Sequence, residues 1–320
     1  MQYQHKISLA AVIVTFNRLE KLKQAVTKSL QESLDYVVVV NNASTDGTGP
    51  WLKSLDDPRI HVITLPTNQG GAGGFHEGFK YAHQSLHADW LVCFDDDAYP
   101  AEGSIDVFKS LNPDSSVGIV SANVRFPSGK LCEMNRPGFD PFRHKQQLAK
   151  TILGGVAGFH LTDDQINGTE SLGLDWCSFV GCFVRVSMFE RGVEYPRKEL
   201  FVYHDDMLFT LTVSKLGYGI VFEPSIRFIH DCESLNVGAV VTYTPLWKAY
   251  YTYRNGILVY RYVSGVLFPA VVLVRGLGWM LKSRHYSYKR RYLSLCVKAI
   301  WDGLTLRLNQ NHSDIVSRYS

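Results

Sequence analysis

The chain has 320 residues, of which 46% are hydrophobic and 20% are charged, and its formal net charge at pH 7 is +3. This is ordinary globular composition with enough apolar material for one large domain or two smaller ones, and the low net charge argues against bulk nucleic-acid binding. The six cysteines contain no CxxC pair and indicate no disulfide framework. The segment 1–6 is polar and lacks the apolar core of a signal peptide. Together with the cysteine pattern, this segment predicts a cytoplasmic protein.

The first third of the chain alternates between two patterns. Apolar, β-branched runs predict buried strands, and apolar residues at helical spacing predict helices between them. The predicted strands are 7–16, 36–40, 60–65 and 89–94, and the predicted helices are 18–31, 50–55 and 75–87. This alternation predicts an α/β fold with a doubly wound, mostly parallel sheet, in which ligands bind beyond the carboxyl ends of the strands.

The middle of the chain is less regular. Strands are predicted over 117–126 and 176–186, with loops over 127–173 between them. A helix over 205–216 is followed by short strands over 218–222 and 226–229, the second of which ends at His230. We therefore expect a nucleotide-binding domain over residues 1–230.

Residues 231–320 differ from the preceding residues in composition and are expected to form a helical C-terminal region. Helices rich in Tyr, Trp and Arg are predicted over 244–262 and 288–308. The apolar run 263–274 between them is shorter than the roughly 20 residues that cross a bilayer. Residues 234–301 contain no Asp or Glu but several Lys and Arg, which indicates a surface facing anionic lipid. An ordinary helical subdomain is the alternative.

Three consecutive carboxylates, Asp95, Asp96 and Asp97, follow the fourth predicted strand. Because adjacent like charges repel, a divalent cation is the simplest way to stabilise them at a sheet edge. Along an extended chain Asp95 and Asp97 point the same way as a ligand pair, whereas Asp96 faces differently, toward a ribose. His230 is a candidate third ligand. The alternatives are a solvated acidic loop and a structural histidine.

Two further polar segments follow predicted strands. Asn42 and Asp46 lie in a turn-rich segment whose side chains could bind a nucleobase edge, or could simply cap the next helix. The glycines of the segment 67–75 would let the backbone approach a diphosphate, or would form a structural turn; they are Gly70, Gly71, Gly73 and Gly74.

Asp205 and Asp206 begin the helix predicted over 205–216. A carboxylate at this position could act as general base toward an acceptor hydroxyl. The alternative is that both acids complement the dipole of the helix.

Taken together, these residues resemble the GT-A glycosyltransferases of the large inverting family 2. Residues 12–18 resemble that family's opening strand, 42–48 its nucleotide loop and 95–97 its metal motif, and the resemblance covers roughly residues 7–230. Within the family, segments 67–75 and 204–206 with His230 are most similar to bacterial galactofuranosyltransferases, which use UDP-galactofuranose.

The resemblance implies a role for each matching residue. Asp95, Asp97 and His230 would hold Mn²⁺ or Mg²⁺ on the donor diphosphate, and Asp206, with Asp205 beside it, would supply the base. Trp176 and His204 would lie near the acceptor. The nucleotide sugar would contact Thr15, Asn17, Arg18, Asn42, Asp46, Asp96 and the four glycines. One departure is Leu208, where the family often carries a second acid, so sugar or acceptor recognition is expected to differ.

These inferences predict a metal-dependent inverting galactofuranosyltransferase acting on a lipid-linked glycan at the inner face of the plasma membrane. A rhamnosyltransferase using dTDP-rhamnose is the nearest alternative. A non-catalytic nucleotide-sugar- or glycan-binding module is another. A nucleotide-sugar pyrophosphorylase is disfavoured, since no basic glycine-rich motif follows Phe16.

Overall fold

The computed structural model describes residues 6–144, 146–149, 158–232 and 242–320. These residues form two compact units. The first contains the described residues up to 198 together with 209–232, and the second contains 199–208 and 242–320. The short segment 199–208, which the sequence places in the N-terminal domain, therefore groups with the helical C-terminal region.

Within the described residues of the first unit, nine strands form one mixed sheet in the order β3-β2-β1-β4-β8-β6-β9-β5, with β7 also paired to β9. The strands β1 to β4 are parallel, as is the pair β6 and β9, whereas β5, β7 and β8 pair antiparallel with their neighbours. The predicted α/β fold with a mostly parallel sheet is confirmed. The strands are β1 Leu9–Thr15, β2 Tyr36–Asn41, β3 Ile60–Thr64, β4 Trp90–Asp95, β5 Ala98–Pro100, β6 Val117–Arg125, β7 Leu172–Leu174, β8 Cys182–Arg185 and β9 Gly219–His230.

Helices flank the sheet in the first unit and make up most of the second. Those of the first unit are α1 Leu19–Leu30, α2 Thr48–Lys53, α3 Gly70–Gln84, α4 Ser104–Leu111, α5 Asp163–Asn167 and α6 Ser187–Glu190. The helix α7, Asp205–Lys215, begins in the second unit and ends in the first. The remaining helices, all in the second unit, are α8 Trp247–Val263, α9 Phe268–Leu281, α10 Lys289–Leu304 and α11 His312–Tyr319.

Strand β1 is buried along its whole length, which explains its continuous apolar sequence. Val12 and Val14 belong to a core cluster with Phe79 of α3. Ile13 faces the opposite side of the sheet, in a second cluster with Leu22 of α1. Because both faces are covered by helices, the strand has no exposed positions that would impose a polar alternation.

The glycine-rich segment differs from its prediction. Helix α3 begins at Gly70, five residues before the predicted start, so the glycines form its first turns and not a loop. A β-carbon on Gly74 would lie 2.3 Å from Cγ1 of Val14, and one on Gly78 would lie 2.3 Å from Cγ1 of Val12. These glycines therefore allow α3 to pack directly on β1, and close packing offsets their low helix propensity.

Two strand predictions also need correction. The segment 176–186 is extended only over β8, since Gly181 has a positive φ of 66° that bends the chain before the strand. The two short strands predicted over 218–229 are one strand, β9. Its pairing with β6 shifts register between Glu223 and Arg227, around Pro224, because proline cannot donate a ladder hydrogen bond.

The apolar segment of the second unit is longer than predicted. A continuous helical stretch, Gly265–His285, has 21 residues and a mean hydropathy of 1.5 over its most apolar window. By length and composition alone it could cross a membrane, so the prediction that this segment is too short is wrong. The prediction ended the segment at Arg275, whereas helix α9 continues to Leu281.

Candidate functional site

The carboxyl ends of the parallel strands gather polar residues at one edge of the sheet. In the parallel ladder Thr15 pairs with Asn41 on one side of β1, and Val14 pairs with Asp95 on the other. The antiparallel pairing of β5 with β9 places His230 opposite Ala98, directly after the three aspartates. Sheet register thus brings together residues that are far apart in the sequence.

Asp96 and Asp97 are buried and have several partners. The Thr15 hydroxyl donates a hydrogen bond of 2.8 Å to Oδ2 of Asp96. The guanidinium of Arg18 lies 2.9 Å from Oδ1 of Asp96 and 2.9 Å from Oδ2 of Asp97. Arg18 therefore offsets part of the negative charge of the acidic cluster.

Asp95, Asp97 and His230 form the candidate metal centre. One ligand atom from each residue lies within 4.8 Å of the other two. Nε2 of His230 is 3.2 Å from Oδ1 of Asp97, and its Nδ1 is 2.7 Å from Oδ1 of Asn135. Two carboxylates and an imidazole suit Mn²⁺ or Mg²⁺, so this donor set fits a divalent cation. The ligand atoms of Asp95 and Asp97 thus lie together with that of His230. The carboxylate of Asp96 instead accepts hydrogen bonds from Thr15 and Arg18.

The pKa values of this cluster reflect burial and close charges. Burial, reinforced by the negative charge of Asp97, raises the pKa of Asp95 to about 7. Burial would raise the pKa of Asp97 as well, but the hydrogen bond and charge of His230, together with Arg18, lower it. Burial opposes protonation of His230, but its hydrogen bond with Asp97, a contact with Cys232 and the nearby carboxylates raise its pKa to about 10. The cluster therefore favours an added positive charge.

The loop 42–48 is cross-linked to the start of α1. Oδ1 of Asn17 accepts a hydrogen bond of 2.7 Å from the amide of Thr45. Asp46 accepts 3.0 Å and 2.6 Å hydrogen bonds from the amide of Leu19 and the hydroxyl of Thr48. The hydrogen bond from Thr48 lowers the pKa of Asp46. Asp46 thus joins the first residue of α1 to the first residue of α2.

Asn42 joins the end of β2 to the start of α3. Its side chain accepts a 2.8 Å hydrogen bond from the amide of Gln69 and donates one of 2.9 Å to the carbonyl of Gly70. Asn42 is buried, so it positions the glycine-rich start of α3 beside the loop 42–48.

Trp176 lies in the first unit and is buried. Its indole N–H donates a 3.2 Å hydrogen bond to the carbonyl of Phe139, and its ring meets His160 edge-on at 5.3 Å. Through these contacts Trp176 packs against residues of the segment 127–173, which was predicted as loops.

The segment before helix α7, in the second unit, has an unusual backbone. Phe201, Tyr203 and His204 all have positive φ angles, between 63° and 66°. Nδ2 of Asn255 lies 2.8–3.0 Å from the carbonyl oxygens of Leu200, Val202 and Tyr203. Asn255 therefore stabilises a strained turn immediately before the two acids that begin α7.

Asp205 is buried and Asp206 half-buried at the first turn of α7. Oδ1 of Asp206 accepts a 2.7 Å hydrogen bond from the amide of Met207. Burial, with Arg275 nearby, lowers the pKa of His204 to about 4, so the imidazole is neutral at pH 7.

The sequence predictions missed Asn135 and Asn255. Asn135 orients the imidazole of His230 and falls in the segment predicted only as loop. Asn255 had a visible signal, the adjacent polar pair Arg254-Asn255 in a helix that is mostly aromatic and apolar. Asn135 and Asn255 are both buried, and buried polar groups need hydrogen-bond partners.

Residues 10–165 match the family described as Glycosyl transferase family 2. The chain is 25% identical to galactofuranosyltransferase GlfT1 of Mycolicibacterium smegmatis over 308 residues, covering 91% of this chain and 96% of the relative. It is also 25% identical to dTDP-rhamnosyl transferase RfbF of Shigella flexneri over 261 residues, covering 79% and 80% of the two chains.

Among solved structures, S. aureus TarS 1–349 in complex with UDP-GlcNAc is similar, with a TM-score of 0.57. The sequence identity is 12%, and the match covers 94% of this chain and 83% of the TarS 1–349 chain. At this identity the similarity establishes the GT-A fold alone.

Proposed function

We propose that this protein transfers galactofuranose from UDP-galactofuranose to a glycan hydroxyl, with inversion, since residues 10–165 match the family described as Glycosyl transferase family 2. The choice of sugar depends on one observation, the similarity to GlfT1 across 91% of the chain. The use of a nucleotide-sugar donor follows from the family itself.

The donor diphosphate would bind at the carboxyl edge of the sheet. Asp95, Asp97 and His230 would hold Mn²⁺ or Mg²⁺ there, and the cation would offset negative charge that develops on the departing UDP. Arg18 and Thr15 orient the carboxylate of Asp96 through direct hydrogen bonds, which leaves it fixed for a ribose hydroxyl.

In the transfer step, the carboxylate of Asp206 would remove the proton of the acceptor hydroxyl. The oxygen attacks the anomeric carbon as the bond from that carbon to the diphosphate breaks, and UDP leaves with the bonding electrons. A single displacement inverts the anomeric configuration. The strained turn held by Asn255 supports this role, since it fixes the backbone from which Asp206 projects.

We propose a lipid-linked glycan of cell-surface polysaccharide synthesis as acceptor, at the cytoplasmic face of the membrane. The acid-free segment 234–301 supports this proposal, because polyprenyl phosphates and anionic lipids carry negative charge.

The second candidate donor is dTDP-rhamnose, which is favoured by the similarity to RfbF over 79% of the chain. The two donors differ in both base and sugar, so a panel separates them.

The test is nucleotide release and transfer by the purified chain with UDP-galactofuranose, UDP-galactopyranose and dTDP-rhamnose, each with Mn²⁺ and with EDTA. We expect turnover with UDP-galactofuranose that EDTA abolishes. Turnover with dTDP-rhamnose alone would replace the sugar assignment. Nucleotide binding without turnover of any donor would indicate a non-catalytic module.

A further inference from the structure

The second unit displays an extensive apolar surface. The segment Gly265–His285 and the neighbouring helix α10 carry large apolar side chains that are more than half exposed: Val266, Leu273, Val274, Leu277, Leu281, Val297 and Trp301. Soluble monomers rarely expose such a concentration of aliphatic and aromatic side chains without a partner.

Helix α9 packs by one face and exposes apolar side chains on the rest of its surface. The buried face of α9 contains Gly276 and Trp279. The indole of Trp279 stacks on Tyr253 of α8 with ring centroids 4.5 Å apart. Leu273, Leu277 and Leu281 recur every four residues and are exposed, so they form a stripe along the helix.

Exposed basic residues follow this stripe in the sequence. Residues 234–301 contain no acid, and Arg284, Lys289, Arg290 and Arg291 are exposed just after α9. Arg254 is buried and Lys298 pairs with Asp302 at 2.7 Å, so neither is assigned to lipid contact. The exposed cations complement an anionic lipid surface, which attracts Lys and Arg side chains.

The packing of α9 favours an orientation in the membrane plane over one that crosses the bilayer. Arg275 lies in the middle of the apolar segment and donates to the Tyr260 hydroxyl at 2.7 Å. The Tyr292 hydroxyl of α10 donates to the carbonyl of Trp279 at 2.9 Å. Spanning would place the Arg275 charge in hydrocarbon and break the contacts with α8 and α10.

We propose that α9 is an interfacial helix, which inserts Leu273, Leu277 and Leu281 into the acyl boundary of an anionic bilayer while the basic residues after it contact headgroups. The inference does not depend on the sugar donor or on the catalytic assignments. Its chemistry is that of monotopic helices, which combine buried apolar area with attraction to anionic lipids.

The experiment is flotation of the full-length protein with vesicles of equal parts phosphatidylcholine and phosphatidylglycerol, and with pure phosphatidylcholine. The variants are Leu273→Asp and Leu277→Asp, singly and combined. The matched control is Leu216→Asp, because Leu216 of the first unit is as exposed as Leu277, at 57% against 54%. Circular dichroism and thermal melts verify that each variant is folded.

We expect flotation with the anionic vesicles, weakened by high salt. The double variant should lower the partition constant at least about tenfold, while the control binds like the wild type.

Equal flotation of the double variant and the control would overturn the proposal. Resistance to alkaline carbonate extraction would indicate a spanning helix and contradict it. A dimer in sedimentation that the α9 variants dissociate, without vesicle binding by the wild type, would assign the surface to a second copy instead.

Discussion

Nε2 of His230 lies 3.2 Å from Oδ1 of Asp97, although the two residues are 133 positions apart. The antiparallel pair β5 and β9 creates this contact, since it sets His230 opposite the residue that follows Asp97. The other oxygen of Asp97 lies 2.9 Å from Arg18. Asp97 is therefore the residue through which the candidate metal centre is joined to the start of α1.

Replacing Asp97 tests that centre. We expect Asp97→Asn to reduce metal-dependent UDP binding by about 100-fold, because the amide lacks the charge that attracts a divalent cation. Isothermal titration with Mn²⁺, and again with EDTA, measures the change. Asp164→Asn is the control, since Asp164 is exposed in the first turn of α5. Equal UDP affinity with and without EDTA in the wild type would contradict the metal site.

Replacing Asp206 tests the general base. Asp206→Asn should lower kcat by about 10²–10⁴, because the amide cannot accept the proton of the acceptor hydroxyl. UDP affinity should remain that of the wild type. Asp205→Asn is the paired variant at the adjacent position of α7. Undiminished turnover by Asp206→Asn would refute the assignment, and loss only in Asp205→Asn would transfer the role to Asp205.

Asn255 is expected to act through the turn that precedes these acids. Asn255→Ala removes the amide group that reaches three carbonyls, so the strained backbone at 201–204 should relax. We expect kcat to fall about 10–100-fold while UDP affinity is unchanged, because misplacement of a catalytic group affects the transfer step. Thr252→Ala on the same helix is the control. A loss of stability without a selective change in kcat would assign Asn255 a purely structural role.

Replacing two glycines of α3 with alanine should have opposite effects on the stability of the protein. A β-carbon on Gly74 would meet Val14 at 2.3 Å, so Gly74→Ala should destabilise the protein by about 1–3 kcal/mol through overpacking. Gly71 has open space within 4 Å, and Gly71→Ala should stabilise it by up to about 1 kcal/mol through helix propensity. Urea unfolding measures both. Equal effects would show that α3 does not pack on β1 as described.

His204 makes the stability of the protein depend on pH. Its pKa is lowered to about 4 by burial and by Arg275, whereas a histidine in the unfolded chain titrates near pH 6.5. Between these values the unfolded state binds more protons than the folded state, so stability falls as the pH falls through this window. The effect is on the order of 3 kcal/mol.

Urea unfolding at pH 7.5 and pH 5 should therefore show a smaller pH dependence for His204→Gln than for the wild type. His285→Gln, at an exposed position, is the control. An unchanged pH dependence in His204→Gln would place the titrating group elsewhere.

The sequence by itself determined the first four strands and the helices between them, because β1, β2 and β4 are buried almost along their whole length and so are mostly apolar. Strand β3 lies at the edge of the sheet and is only partly buried, but its β-branched residues still indicated a strand. The sequence also placed the three aspartates at a strand end, since turn residues and charge follow the apolar run directly. These are local signals, carried by residues that are neighbours in the chain.

Only the tertiary structure decided the features that depend on packing between distant segments. Glycine permits both loop and helix, so the sequence left residues 70–74 open; in the structure they are helical, and Gly74 packs against Val14 where a β-carbon would clash. Sheet register brings His230 to Asp97. The sequence showed that Asn255 is a polar residue on a mostly apolar helix, but only the fold shows that its partners are the carbonyls of the turn before Asp205. Arg275 does not end helix α9, because its guanidinium donates to the Tyr260 hydroxyl and Trp279 of the next turn stacks on the ring of Tyr260.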